Sequence, residues 1–119
     1  MSVNRIDARF QQLRTEGRAG FIAYICGGDP SLQATRDLVI AFDKAGVDLV
    51  EIGVPFSDPL ADGVVNQMAS TRALAGGATV RGVFHCIREI RRESQIPIVS
   101  QGKPDVCSRR DAVVTVVAS

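Results

Sequence analysis

Short apolar runs alternate along this chain with stretches whose apolar residues recur at helical spacing, and this alternation limits the fold more than any other feature. The runs at residues 21–26, 47–54 and 96–99 are apolar almost throughout, which is typical of strands buried on both faces of a parallel sheet. Parallel strands need crossover connections, and these are right-handed. The pattern therefore predicts an α/β fold, either a doubly wound sheet or the opening units of a (β/α)8 barrel.

Residues that begin or end helices mark the predicted boundaries. An amphipathic helix precedes the first strand and ends at Gly17, where a left-handed cap favours glycine. Asp29 and Pro30 are predicted to be the N-cap and the first helical residue of the next helix. A helix over residues 63–74 follows the second strand, and Thr79 is predicted to cap another before the third. The chain thus contains about three β/α units with a preceding helix.

Composition and charge exclude several classes of function. Lysine and arginine number 14 against 13 acidic residues, for a net charge of +1, so nothing favours binding to nucleic acid or to an anionic membrane. The three cysteines are widely spaced, and the single histidine lacks ligand spacing, which argues against a zinc site. No membrane span or leader is expected, and the chain is predicted to be cytoplasmic.

Two carboxylates stand out near the predicted carboxyl end of the second strand, where β/α folds place their sites. Glu51 lies within an apolar run, and the lost hydration suits it to general acid–base work. It could equally point into solvent or pair with an arginine. Asp62 follows a loop bounded by Pro55 and Pro59 and could face Glu51, so that the two divide acid and base roles. The alternative for Asp62 is a turn or N-cap residue.

The first strand ends with residues that allow two interpretations. Tyr24, the single tyrosine, could line the mouth of a pocket or pack on the first helix. Gly27 and Gly28 invite comparison with a phosphate loop, but the spacing of such loops is missing. A tight turn from strand to helix explains this glycine pair better.

Together these segments resemble the tryptophan synthase alpha subunit family. Residues 21–30, FIAYICGGDP, are similar to the first strand and turn of that family. Residues 45–63, AGVDLVEIGVPFSDPLADG, match its second strand and the following loop almost residue for residue. Similar residues continue to about position 98, and the resemblance covers residues 5–99.

The resemblance implies a (β/α)8 barrel that cleaves indole-3-glycerol phosphate into indole and glyceraldehyde 3-phosphate. It gives Glu51 the role of general acid–base at the indole C3 and the glycerol hydroxyl. Asp62 would interact with the indole N–H, and the Tyr24 ring would line the indole pocket. The family uses no cofactor in this chain but pairs with a β subunit that carries pyridoxal phosphate, in an α2β2 assembly. The implied contact with that subunit is the loop Pro55, Phe56, Ser57, Asp58 and Pro59.

The chain also departs from the family. Ala23 stands where proline is common, and Val64 and Asn66 replace a proline and an aliphatic residue. Residues 100–119 do not resemble the family, so we divide the chain into a partial barrel domain, 1–99, and a divergent tail. A whole barrel needs about 250 residues, with phosphate-binding loops after its seventh and eighth strands. We therefore expect a chain truncated or frame-shifted near Val99, and the alternative function is a non-catalytic fragment that at most binds the β subunit.

Overall fold

Helices and parallel strands alternate in the computed structural model, which describes residues 4–55 and 63–101. Within these residues, no helix is long and apolar enough to cross a membrane. The elements run in the order α1 (Arg5–Glu16), β1 (Ile22–Cys26), α2 (Leu32–Ala45), β2 (Leu49–Gly53), α3 (Val64–Ala75), α4 (Val80–Arg91) and β3 (Ile98–Gln101).

The three strands form one parallel sheet in the order β1-β2-β3, as the alternation predicts. β3 begins two residues later than the apolar run at 96–99. Pro97 has no N–H to give to the sheet, but its carbonyl accepts a hydrogen bond from the Val50 N–H at 3.0 Å. Ile96 and Pro97 are still buried. The first residue of β3 thus differs from the prediction, whereas the predicted burial of residues 96 and 97 is confirmed.

The helix ends follow the sequence signals with one exception. Gly17 and Gly46 adopt positive φ after α1 and α2, and the Thr79 hydroxyl accepts a hydrogen bond from the Gly82 N–H at the start of α4. The prediction that Asp29 caps α2 and that Pro30 is its first helical residue is wrong, because α2 begins at Leu32. Ser31 is the N-cap, and its hydroxyl oxygen accepts a hydrogen bond from the Ala34 N–H at 3.0 Å. Asp29 instead binds Arg72.

The main core lies between one face of the sheet and the helices α2 and α4. Strand residues point alternately to the two faces of a sheet, so one set packs on the helices and the other lies on the opposite face. The buried residues on the helix side include Ala23, Val50 and Ile52 from the strands, Val39 from α2, and Val83 and Ile90 from α4.

Asp48 is a buried carboxylate just before β2, at the amino end of the sheet. It accepts hydrogen bonds from the Phe21 N–H at 2.8 Å and from the guanidinium groups of Arg18 and Arg9 at 3.1–3.3 Å. The bond from Arg18, with those from Phe21 and Arg9, holds the pKa of Asp48 below its ordinary value despite burial. Because Arg9 belongs to α1 and Phe21 directly precedes β1, the Asp48 carboxylate links α1 to the amino end of the sheet.

Candidate functional site

Glu51 lies at the centre of the sheet, on the face away from α2 and α4. It is the third residue of β2, and its neighbours in register are Tyr24 on β1 and Val99 on β3. Its side chain is half-buried. Within residues 4–55 and 63–101, no arginine or lysine forms an ion pair with Glu51. The Glu51 carboxylate therefore lies on the face of the sheet opposite α2 and α4, without a fixed cation among these residues.

The ring of Tyr24 lies beside Glu51 and leans toward the carboxyl end of β2. A methyl group built on Gly53 would be 3.0 Å from Cζ and 3.3 Å from Cε2 of Tyr24, and would collide with its hydroxyl. Gly53 therefore makes room for the ring because it has no side chain. Tyr24 keeps 43% of its surface exposed. The result is an aromatic wall next to the Glu51 carboxylate, open on one side.

The backbone N–H groups of the turn after β1 already donate hydrogen bonds to other groups of this chain. The Gly27 N–H donates to the Gly53 carbonyl at 2.8 Å, the Gly28 N–H to Thr35 Oγ1 at 2.8 Å, and the Asp29 N–H to the Cys26 carbonyl at 3.3 Å. A phosphate cradle needs such donors to be free. The glycine pair is thus a tight turn, as the sequence indicates, and it is not available to bind phosphate.

Helix α3 is docked on this turn by small residues and one ion pair. Cys26, Ala69, Ala73 and Ala78 form a second buried cluster, which allows close approach of the two backbones. Arg72 donates from Nε and Nη2 to the two carboxylate oxygens of Asp29 at 2.9 and 3.0 Å. The Asp29 carboxylate raises the pKa of Arg72. Gly63, the N-cap of α3, follows Asp62 directly in the chain.

Several of the predicted site residues lie outside the described residues. These are Asp62 and four of the five predicted interface residues, Phe56, Ser57, Asp58 and Pro59. Pro55, the fifth, is buried at the end of β2. The structure thus brings Tyr24 and Glu51 together, and their proposed roles stay predictions.

A groove of about 650 Å³ lies at the other end of the sheet. Its lining includes Phe10, Leu13 and Arg18, from α1 and the segment that leads into β1. Sites in parallel β/α folds form at the carboxyl ends of the strands, and this groove is at the amino ends. The groove therefore lies away from the end of the sheet where the chemistry is expected.

Two features of the site have little signal in the sequence. The partnership of Asp29 with Arg72 joins residues that are far apart in the chain, and Asp29 before a proline is more readily interpreted as a helix cap. Gly53 carries a weak signal, because a glycine inside a strand often marks close approach of another group. The group that approaches is Tyr24, and only the register of β1 on β2 shows this.

Comparison with known proteins agrees with this architecture. The family model described as the tryptophan synthase alpha chain matches residues 10–103. The tryptophan synthase alpha chain of Clostridium kluyveri is 48% identical over 97 residues, which are 82% of this chain and 37% of that relative. The alpha chain of Opitutus terrae is 50% identical over 97 residues, with 82% and 36% covered.

Solved structures give the same picture. Tryptophan synthase subunit alpha from Legionella pneumophila superposes with a TM-score of 0.84 at 34% identity, over 88% of this chain and 40% of that one. A tryptophan synthase complex from Pyrococcus furiosus gives 0.65 at 40% identity, over 69% and 34%. The neighbours are (β/α)8 barrels, so the three strands are part of such a barrel and the doubly wound alternative is rejected. The chain spans less than half the length of the relatives it matches.

Proposed function

Because the chain belongs to the tryptophan synthase alpha chain family, we propose that it carries the acid–base part of a site that cleaves indole-3-glycerol phosphate. The observation that supports this most is the place of Glu51, on the open face of the sheet beside the ring of Tyr24 and without an ion-pair partner among the described residues. Tyr24 supplies the flat apolar surface that an indole ring needs.

The proposed reaction is a retro-aldol cleavage in which Glu51 moves protons. Glu51 donates a proton to the indole C3, and Asp62 binds the N–H and favours the resulting indolenine. The Glu51 carboxylate then accepts the proton of the glycerol hydroxyl, which forms the aldehyde of glyceraldehyde 3-phosphate and restores the acid form of Glu51. The bond to C3 breaks, and its electron pair returns to the ring to give indole. No redox partner is needed, and the family resemblance implies no cofactor in this chain.

The phosphate group of the substrate needs a binding site elsewhere. In (β/α)8 barrels, phosphate sites commonly lie after the seventh and eighth strands, beyond the three strands described. The N–H groups of the turn at Gly27 and Gly28 are already used. We therefore expect weak binding of the substrate and little turnover by this chain alone.

A β subunit that carries pyridoxal phosphate is the proposed partner, bound through the loop of residues 55–59, and the cytoplasm is the proposed compartment. The resemblance to a structure of a tryptophan synthase complex supports the partnership. The second candidate function is binding to this subunit without cleavage. Pro55 and Pro59 belong to the proposed contact with the β subunit. Because proline fixes φ, they would restrict the loop for binding whether or not the chain cleaves the substrate.

Indole release from indole-3-glycerol phosphate, measured with and without β subunit, tests the proposal. General acid–base residues contribute about 10²–10⁴-fold in rate, and where the wild-type chain releases indole we expect Glu51→Gln to lower that rate by about that factor. Glu93→Gln is the matched control, because Glu93 pairs with Arg36 at the surface. Measurable turnover that is equal in wild type and Glu51→Gln would reject the catalytic role. Stimulation of the β subunit with no cleavage would leave binding as the function.

A further inference from the structure

Helix α1 packs on the rest of the chain differently from the other helices. Two apolar clusters are buried in the part of the chain that the structure describes. The residues that form them or pack on them come from the strands, from α2, α3 and α4, and from the connections between these elements, and none comes from α1. The buried residue of α1 is Leu13, and Ile6 and Phe10 are half-buried. The described apolar core therefore does not extend to α1.

Leu13 docks at one point, at the amino end of the sheet. A methyl group built on Gly20 would be 2.7 Å from Leu13 Cδ1 and 3.8 Å from Asp48 Oδ2, so Leu13 lies directly on the Gly20 backbone. The Arg9 guanidinium binds the buried Asp48 carboxylate at 3.3 Å, and the Arg9 side chain is only 26% exposed. The apolar contact and the ion pair of α1 thus share one docking point, formed by Gly20 and Asp48.

The other attachment of α1 is exposed to water. Arg5 donates from Nε and Nη2 to Gln95 Oε1 at 3.2 and 2.9 Å, and both residues are exposed. Water competes for such groups, so this bond contributes little. The helix has 12 residues, and an isolated helix of about that length is marginal in water. The helical structure of α1 therefore depends on the docking point at Gly20 and Asp48.

Release of α1 does not leave the Asp48 carboxylate without partners. Asp48 also accepts hydrogen bonds from the Phe21 N–H at 2.8 Å and from Arg18 at 3.1 and 3.2 Å, and both residues lie between α1 and β1. An unpaired buried charge is costly, and these bonds avoid that cost. Within residues 4–55 and 63–101, Ala19 and Gly20 make no backbone hydrogen bond, so the chain can bend there.

We propose that α1 is a releasable helix, which detaches from Gly20 and Asp48 and unfolds as a unit while the sheet and helices α2 and α4 stay folded. Proteins open locally with free energies that range from about zero up to that of global unfolding, and α1 belongs near the low end of that range. Release exposes Leu13 and bends the chain at Ala19 and Gly20. The pairing of β1 with β2, which holds Tyr24 beside Glu51, is kept.

Hydrogen exchange of the full chain, measured by mass spectrometry on peptides from α1, β2 and α4, tests this inference without any substrate. The measurement is repeated at several urea concentrations below the unfolding transition. In the wild type we expect the amides of α1 to be protected, but at least about 10-fold less than those of β2. Their exchange should depend only weakly on urea, because a local opening exposes little surface.

Two variants weaken the docking of α1. Arg9→Gln removes a bond to a buried charge and should speed the exchange of α1 by about 10-fold. Leu13→Ala removes the buried side chain and should speed it by about 30-fold or more. The amides of β2 and α4 should remain protected in both variants, and they should lose protection by no larger a factor than α1 does.

Val83→Ala is the reciprocal control, because Val83 lies in the core on α4 and is 1% exposed. It should speed the exchange of β2 and α4 by about 10-fold or more and leave that of α1 unchanged. Equal protection and equal urea dependence of α1 and β2 in the wild type would overturn the inference, since α1 would then open only with the sheet. Wild-type α1 amides that exchange as fast as in urea-unfolded chain, or faster exchange of α1 in Val83→Ala, would overturn it as well.

Discussion

Replacing Gly53 by alanine is expected to displace the Tyr24 ring while leaving the fold intact. The new methyl group would be 3.0 and 3.3 Å from two ring carbons and in collision with the hydroxyl, against the normal separation of about 3.5–4.0 Å between carbon atoms. The ring must therefore move by about 0.5 Å at its carbons and further at its hydroxyl. The movement is possible because Tyr24 is 43% exposed.

The expected change in stability is small because two effects oppose each other. Alanine in a strand is favoured over glycine by about 0.5–1 kcal/mol, and overpacking costs about 1–3 kcal/mol where neighbours cannot yield. With a half-exposed ring that can yield, we expect the free energy of unfolding to change by less than about 1 kcal/mol. The binding of an indole ring beside Glu51 should weaken, since the aromatic wall has shifted.

The assay is simple because this chain has one tyrosine and no tryptophan. Fluorescence excited near 280 nm and circular dichroism near 280 nm, where phenylalanine does not absorb, then report on Tyr24. We expect both signals and the acrylamide quenching to change in Gly53→Ala, with an unchanged urea midpoint. Gly63→Ala is the control, because a methyl group there meets nothing within 4 Å. An unaltered Tyr24 signal, or a loss of several kcal/mol, would refute the reasoning.

Three further predictions concern stability and reactivity. Asp48→Asn should lower the free energy of unfolding by about 2–3 kcal/mol in urea at pH 7, since bonds to a buried charge are lost. The pKa of Asp48 is lowered in the folded chain. The stability difference between wild type and Asp48→Asn should therefore have its full size above the unfolded pKa of about 4, and it should shrink as the pH falls through the folded pKa. Gly28→Ala should cost about 2 kcal/mol or more by thermal unfolding, because φ is +89° and the new Cβ would lie 2.5 Å from that of Ala78. Burial raises the pKa of the Cys86 thiol, so its alkylation at pH 8 should be far slower in the native chain than in urea, as mass spectrometry of the modified peptide can measure.

Local sequence signals predicted most of the fold. Apolar runs and glycine caps placed the strands and helices because these signals act within a few residues. Tertiary contacts overrode them at Asp29, where a local cap signal gave way to Arg72, a residue of a helix distant in the chain. The boundary of β3 moved because Pro97 can accept but not donate a hydrogen bond.

The candidate site was predictable only in part. The apolar run showed that Glu51 would be unusual, and the family resemblance supplied its proposed role. The place of Tyr24 beside Glu51 depends on the register of β1 and β2, which no spacing in the sequence reveals. The room for its ring depends on Gly53, whose signal in the sequence is weak.

Exchange of the indole C3 hydrogen in D₂O, followed by NMR, tests the acid–base role of Glu51 most directly. The exchange requires only protonation of C3 and loss of the original hydrogen, so it does not depend on phosphate binding. We predict that the wild-type chain and Glu93→Gln accelerate the exchange above the buffer rate and that Glu51→Gln returns it to that rate. Equal acceleration by Glu51→Gln, or none by the wild-type chain, would contradict the assignment of Glu51 as the residue that moves the proton.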